Sequence, residues 1–190
     1  SGSGDQKNAI QGASYLQDIG DWYNKNVTGS MIIQGRMLRD IRLGSKNNPV
    51  IISISSLTLS NCVSLQRLLL SNITTLTGTL NLTACEHLQE IYADGTSLAQ
   101  IVLPSGGGLR VVEYSRFNQY LSLSNYPLLT DDGIGIDLCK TVISDFFIVD
   151  CALVRPMKIL VDIMNAQMEQ GDNHALKRIR AVGFEESYNN

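Results

Sequence analysis

The residues able to carry chemistry in this chain are few, and their spacing decides what they could do. Four cysteines occur, Cys62, Cys85, Cys139 and Cys151, with no Cys-x-x-Cys pair among them. An even count invites a disulfide framework and thiolates also bind metals, but the spacing supports neither use. There are two histidines. His87 follows Cys85 as Cys-x-His, yet no second ligand pair accompanies it, so a surface histidine is the preferred reading. His174 has no identifiable partner. Gly106-Gly107-Gly108 could cradle a phosphate, but no Lys-Ser/Thr follows, which leaves a turn. Asp131, Asp132 and Asp137 form the densest acidic group, and such carboxylates could take calcium. The EF-hand spacing and its terminal Glu are missing, so a solvated loop or half-coil is preferred. Asn26-Val27-Thr28, Asn72-Ile73-Thr74 and Asn81-Leu82-Thr83 are formal glycosylation sequons, read as coincidence in an Asn- and Thr-rich chain. No catalytic residue, metal or other cofactor is expected on these grounds.

The elements that must position these residues follow from the whole chain. Its 190 residues suffice for one domain with a real core. Charged residues make up 17%, aromatics 6% and apolar residues 44%. A disordered chain would be charge-rich and apolar-poor. The net charge of −3 argues against nucleic acid as a partner, since phosphates must be neutralised by Lys and Arg. No apolar run reaches the roughly 18–20 residues of a membrane span. The core is therefore expected to be many small aliphatic contributions rather than a few rings.

That expectation is met by an internal repeat. Leu57-x-Leu59-x-x-Cys62-x-x-Leu65-x-x-Leu68 matches Leu80-x-Leu82-x-x-Cys85-x-x-Leu88-x-x-Ile91 in five slots at an offset of 23. Further copies read Ile101-x-Leu103 with Leu109-x-x-Val112, then Leu121-x-Leu123-x-x-Tyr126-x-x-Leu129, then Phe146-x-Ile148-x-x-Cys151-x-x-Val154. Met31-x-Ile33 with Leu38-x-x-Ile41-x-Leu43 fits more loosely, and Leu16-x-x-Ile19 reads as a partial first copy. Three of the four cysteines share one slot, which suits small, inward, reduced thiols stacked along a narrow interior. Spacing becomes irregular near the acidic group, where Ile134-x-Ile136-x-x-Cys139-x-x-Val142 offers a competing register.

These Leu-x-Leu-x-x-Cys stretches resemble the leucine-rich-repeat family. Leu98-Ala-Gln-Ile101-Val-Leu103-Pro104 and Cys85-Glu-His-Leu88-Gln-Glu-Ile91 resemble BspA-like repeats of Bacteroidales surface proteins. Thr77-Gly-Thr-Leu-Asn-Leu82, Gly95-Thr96-Ser97-Leu98 and Leu103-Pro104-Ser105-Gly106-Gly107 are similar to repeat regions of gut phage virion proteins. The resemblance implies a virion or bacterial cell-surface location, partners rather than cofactors, and a role in attachment, adhesion or assembly.

The expected fold is an α/β solenoid, mostly β: a leucine-rich-repeat-like stack of parallel strands with a C-terminal helix-containing cap. Each coil carries two strand-like pieces, one of the Leu57-x-Leu59 type and one of the Leu68-x-Leu70, Ile91-x-Ala93 and Val112-x-Tyr114 type. Alternation turns one set of side chains inward and the other outward. Residues 1–4 read as an expression scar or linker, 5–154 as the solenoid, 155–184 as the cap and 185–190 as a polar tail. In the cap, Pro156 suits a first helical turn, Met157, Leu160, Val161, Met164 and Met168 recur at helical spacing, and Gly171 is a natural stop. Leu176-x-x-Ile179-x-Ala181 then resumes the pattern of Leu88-x-x-Ile91-x-Ala93.

The outward row of the second strand set is the expected interaction surface. Asp40 and Arg42, Arg67 and Leu69, Glu90 and Tyr92, and Val111 and Glu113 fall on successive coils, with Arg178 and Arg180 extending the row. Arg and Tyr are enriched at binding hot spots. A rival row, Thr58, Asn81, Val102 and Ser122, is mostly small and polar. A third patch gathers Tyr114, Phe117, Tyr120 and Tyr126. Two functions compete. One is a non-enzymatic module, monomeric as a fragment, that binds a protein or cell-surface ligand. The other is a tailspike-like carbohydrate-active parallel β-helix, whose acidic pair would have to come from Asp131, Asp132 and Asp137.

Overall fold

The computed structural model describes residues 7–11, 16–105, 108–114, 120–122, 126–130, 134–136, 145–149, 165 and 178–182. Short strands dominate them. In chain order these are β1 (Lys7–Gln11), β2 (Asp18–Ile19), β3 (Thr28–Gln34), β4 (Asp40–Arg42), β5 (Ser53–Ser60), β6 (Arg67–Leu69) and β7 (Thr79–Asn81). There follow β8 (Glu90–Ala93), β9 (Gln100–Val102), β10 (Val111–Tyr114), β11 (Tyr120–Ser122), β12 (Ile134–Ile136), β13 (Asp145–Val149) and β14 (Arg178–Val182). Helix is almost absent from the described residues; a 3₁₀ turn at Trp22–Asn24 follows β2. No helix among them is long and apolar enough to cross a membrane.

Strand order shows how the chain winds. The even strands β2, β4, β6, β8, β10 and β12 stack in sequence as one six-stranded sheet. The odd strands, joined at the end by β14, form three smaller sheets, β1-β3-β5, β7-β9 and β11-β13-β14. Every pairing is parallel. As far as β12, the chain alternates between an odd and an even strand. Such a path gives a solenoid-like stack, in which each coil chiefly touches its neighbours.

Register equals repeat. Ile19, Ile41, Leu68, Ile91, Val112 and Ile134 are successive partners across the six-stranded sheet. On the odd side Met31 pairs with Leu57 and Ile33 with Leu59, and Leu80 pairs with Ile101. Ile41, Leu68 and Ile91 are fully buried, as are Met31, Ile33, Leu65 and Leu88. One aliphatic side chain per slot fills the narrow interior, which is why so few rings are needed. Cys62 and Cys85 are buried free thiols in the same interior. Cys62 donates weakly to the carbonyl of Ile33, 3.6 Å away on the preceding coil.

The bends after the even strands are built with equal economy. Asn72 adopts a left-handed conformation (φ 66°) and donates from Nδ2 to the Ser45 carbonyl one coil back. Ser45 Oγ in turn accepts from the amides of Asn47 and Asn48. Gly44 lies so close to the next coil that an added Cβ would stand 2.2 Å from the Ser71 carbonyl oxygen. Stacked bends thus demand a residue with no side chain at that crossing.

Two expectations change in register. Ile134–Ile136 belongs to the even sheet, with Ile134 beside Val112. The long interval between Leu121 and Phe146, themselves partners, therefore contains one even strand. β14 lies on the odd side: Ile179 pairs with Phe146 and Ala181 with Ile148, so it does not continue the Ile91-x-Ala93 row. Both rows share the same apolar alternation, so periodicity finds a strand without saying which side it joins. Of the helix expected from Pro156 to Gly171 only Asn165 is described, in helical conformation; the rest of it, with Cys139, Cys151, His174 and the acidic residues Asp131, Asp132 and Asp137, lies outside the described residues.

Candidate binding face

The outward residues of the even sheet form two rows one residue-pair apart. The first runs Asp18, Asp40, Arg67, Glu90, Val111, and the second runs Arg42, Leu69, Tyr92, Glu113, Gly135. Strand alternation explains the placement, because Ile41, Leu68, Ile91 and Val112 between them point into the core. Parallel register then brings the same outward slot of each coil to about 4.8 Å from the next. The side chains that expectation grouped here, Arg42, Arg67, Leu69, Glu90, Tyr92 and Glu113, are all half-buried.

The rows are tied together by charge. Asp40 Oδ2 accepts from Arg42 Nη1 at 2.5 Å and faces Arg67 Nη1 at 4.0 Å. Arg42 Nε also reaches Asp21 at 3.4 Å. Burial works against the Arg42 charge, but Asp40 and Asp21 outweigh it and raise its pKa. Arg110 Nη2 lies 3.5 Å from Glu90. The Tyr92 hydroxyl donates to Glu90 Oε1 at 2.5 Å. Burial first, and then that bond to Glu90, push the Tyr92 phenol up to about 12.

Lys46 completes the network from outside both rows. It sits in the bend after β4, and its ammonium donates to Asp94 Oδ1 at 3.2 Å and to Glu113 Oε2. It also lies 5.1 Å from the centre of the Tyr92 ring, and the Arg67 guanidinium carbon lies 5.5 Å from the same centre. Tyr92 is therefore flanked by two cations, each attracted by the ring quadrupole. Asp94 Oδ1 additionally accepts from Ser71 Oγ at 2.6 Å. Burial opposes the Lys46 charge, but its bonds to Glu113 and Asp94 outweigh that, and its pKa is raised. The result is a mixed-sign surface with side chains held in one arrangement, able to meet charged and hydrogen-bonding groups.

Sequence reasoning missed Lys46, Asp94 and Arg110. Asp94 was findable, since it lies two residues beyond Tyr92 and continues the outward alternation. Lys46 was not, because it stands in a bend where the repeat carries no slot, and its partners are 48 and 67 residues away. Arg180 does not join the row: its strand β14 pairs with β13, where Arg178 stands beside Asp145 and Arg180 beside Phe147. Tyr114 ends β10, in register with Ala93 and Ile136.

The other candidates separate plainly. His87 is exposed. Burial pushes the Cys62 thiol up, and burial together with the neighbouring Cys62 pushes Cys85 up to about 11, so both stay protonated at neutral pH and are poor nucleophiles. Tyr126 is buried and donates to the Pro104 carbonyl at 2.8 Å, covering the core. On the odd side β5 and β7 belong to different sheets, and a groove of about 200 Å³ opens between them, lined by Thr58, Thr79, Asn81 and Thr83. Compared with protein-family models, with curated proteins and with solved structures, the chain matches none.

Proposed function

We propose that this chain is a non-enzymatic binding module of a larger virion, tail or bacterial cell-surface protein, and that it engages a protein partner through its six-stranded face. The observation carrying this reading is the in-register alignment of Arg42, Arg67, Tyr92, Glu90 and Glu113 on consecutive coils. Five strand intervals of about 4.8 Å give a sheet roughly 24 Å across, a useful width for a docking surface. Arg42, Arg67, Glu90 and Tyr92 are already restrained by ion pairs, by the Tyr92–Glu90 hydrogen bond and by the Tyr92 ring, so less of their rotamer freedom is lost when a partner arrives. Arg and Tyr are also the residues that concentrate binding energy when a partner desolvates them. The virion or cell-surface setting follows from the repeat resemblance, to leucine-rich repeats and their BspA-like and phage relatives.

The test is capture of one defined band from virions or gut-bacterial lysate by the wild-type chain and by the Arg67→Ala, Tyr92→Ala, Glu113→Ala triple variant. Capture should fall at least tenfold in the triple variant while its circular dichroism stays that of the wild type. Equal capture by a folded triple variant rejects this face as the partner surface.

A further inference from the structure

Lys46 is the one basic group of the network that does not come from an even strand or its immediate approach, and where it sits shows what the face accepts. The niche that holds it consists of two carboxylates on consecutive coils, Asp94 and Glu113, and the ring of Tyr92 between them. Two negative charges beside a π face make a receptor for an ammonium: the carboxylates accept its N–H bonds and the ring attracts its charge. The niche already holds such a group, delivered by the bend 43–50 of the same chain. That occupant is held loosely in energetic terms. The side chains of Lys46, Asp94 and Glu113 are 38%, 33% and 27% exposed, and a pair of that exposure changes an equilibrium by roughly 1.5- to 5-fold.

We infer that the Asp94–Glu113–Tyr92 niche is a lysine-binding subsite of the partner face, and that Lys46 is its built-in competitor, displaced when a lysine of a partner protein enters. This rests on the reading of the six-stranded face as a binding surface, and it names the chemistry recognised there. A lysine is favoured over an amino sugar because the group now seated is itself a lysine. Arg67 on the same ring and Ser71 on Asp94 stay in place during the exchange, so the subsite keeps its shape. The exchange replaces one ammonium by another and leaves the charge of the niche unchanged.

The experiment titrates tetralysine into the folded wild-type chain and into Lys46→Met, Lys46→Met/Glu113→Gln and Lys25→Met variants, followed by calorimetry. Lys25 lies over Trp22, 5.3 Å from that ring's centre, so Lys25→Met removes the same charge without opening the niche. Lys46→Met should bind tetralysine about threefold tighter than wild type, Lys25→Met should show no such gain, and Glu113→Gln should erase it. Lys46→Gln, which keeps a polar stem over the ring, replaces Lys46→Met if that variant has lost its circular dichroism. A gain that is absent, shared by Lys25→Met or retained with Glu113→Gln overturns the subsite. A glucosamine tetramer binding tighter than tetralysine overturns the assignment to lysine. Because tetralysine is not the native partner, this result is independent of capture by the triple variant. A flat titration with lost capture rejects the subsite alone, and a clear gain with unchanged capture rejects the face as the partner surface.

Discussion

Tyr92 concentrates the chemistry of the face at a single residue. Its hydroxyl donates to Glu90, its ring meets Lys46 and Arg67, and its backbone carbonyl accepts from the Leu70 amide. The phenol is pushed up to about 12, from an ordinary value of 10.0. A folded pKa raised above the unfolded one gives stability that is fully present below pH ~10 and is lost as pH rises through about 12. Ultraviolet titration at the phenolate band should therefore show one of the seven tyrosines ionising near pH 12, and Tyr92→Phe should remove that step. A profile unchanged by Tyr92→Phe would contradict the assignment. At this scale the sequence was legible wherever a residue occupies a repeat slot: Arg42, Arg67, Tyr92 and Glu113 all come out of alternation alone. It was illegible for Lys46, whose partners are set by how far a bend overhangs the next coils, a distance no period encodes.

Strands and bends share the work at the scale of elements. The aliphatic ladder Ile41, Leu68, Ile91, Val112 fixes register, since a one-residue slip would turn every one of these side chains to solvent. The bends fix how closely coils approach. Gly44→Ala would drive a methyl to 2.2 Å from a backbone oxygen of the next coil, which has nowhere to go without parting the sheet. Overpacking of that kind costs about 1–3 kcal/mol. Gly108→Ala is the matched control: its nearest neighbour would be the Leu88 carbonyl oxygen at 3.7 Å, ordinary contact, and the change should stay within about 0.5 kcal/mol. Urea denaturation of the two variants checks the contrast, and equal stabilities would mean the coils do not stack as described. The repeat made these elements legible as strands and correctly paired Met31 with Leu57 and Leu80 with Ile101. It failed for β14, because Ile179-x-Ala181 satisfies the inward pattern of either side and only the path of the chain chooses between them.

The whole molecule explains why so plain a composition yields a distinctive surface. A stack of parallel coils needs aliphatic side chains inside and small polar ones at most outward slots, so charged residues at 17% and aromatics at 6% are what the architecture leaves over. On the even side those scarce residues fall in register across successive coils, whereas between β5 and β7 the odd side presents Thr58, Thr79 and Asn81 around an uncharged groove. On the proposed reading the even side meets the partner and the odd side does not. Site-directed blocking tests it most directly. Single cysteines are placed at Leu69, in the even row, and at Thr58, in the odd row, in a Cys139→Ser, Cys151→Ser background. Cys62 and Cys85 are buried and remain unlabelled in the folded chain. Each variant is coupled to a maleimide polyethylene glycol and scored for partner capture. The label at position 69 should abolish capture and the label at position 58 should leave it intact; capture that survives at 69, or is lost only at 58, contradicts the account.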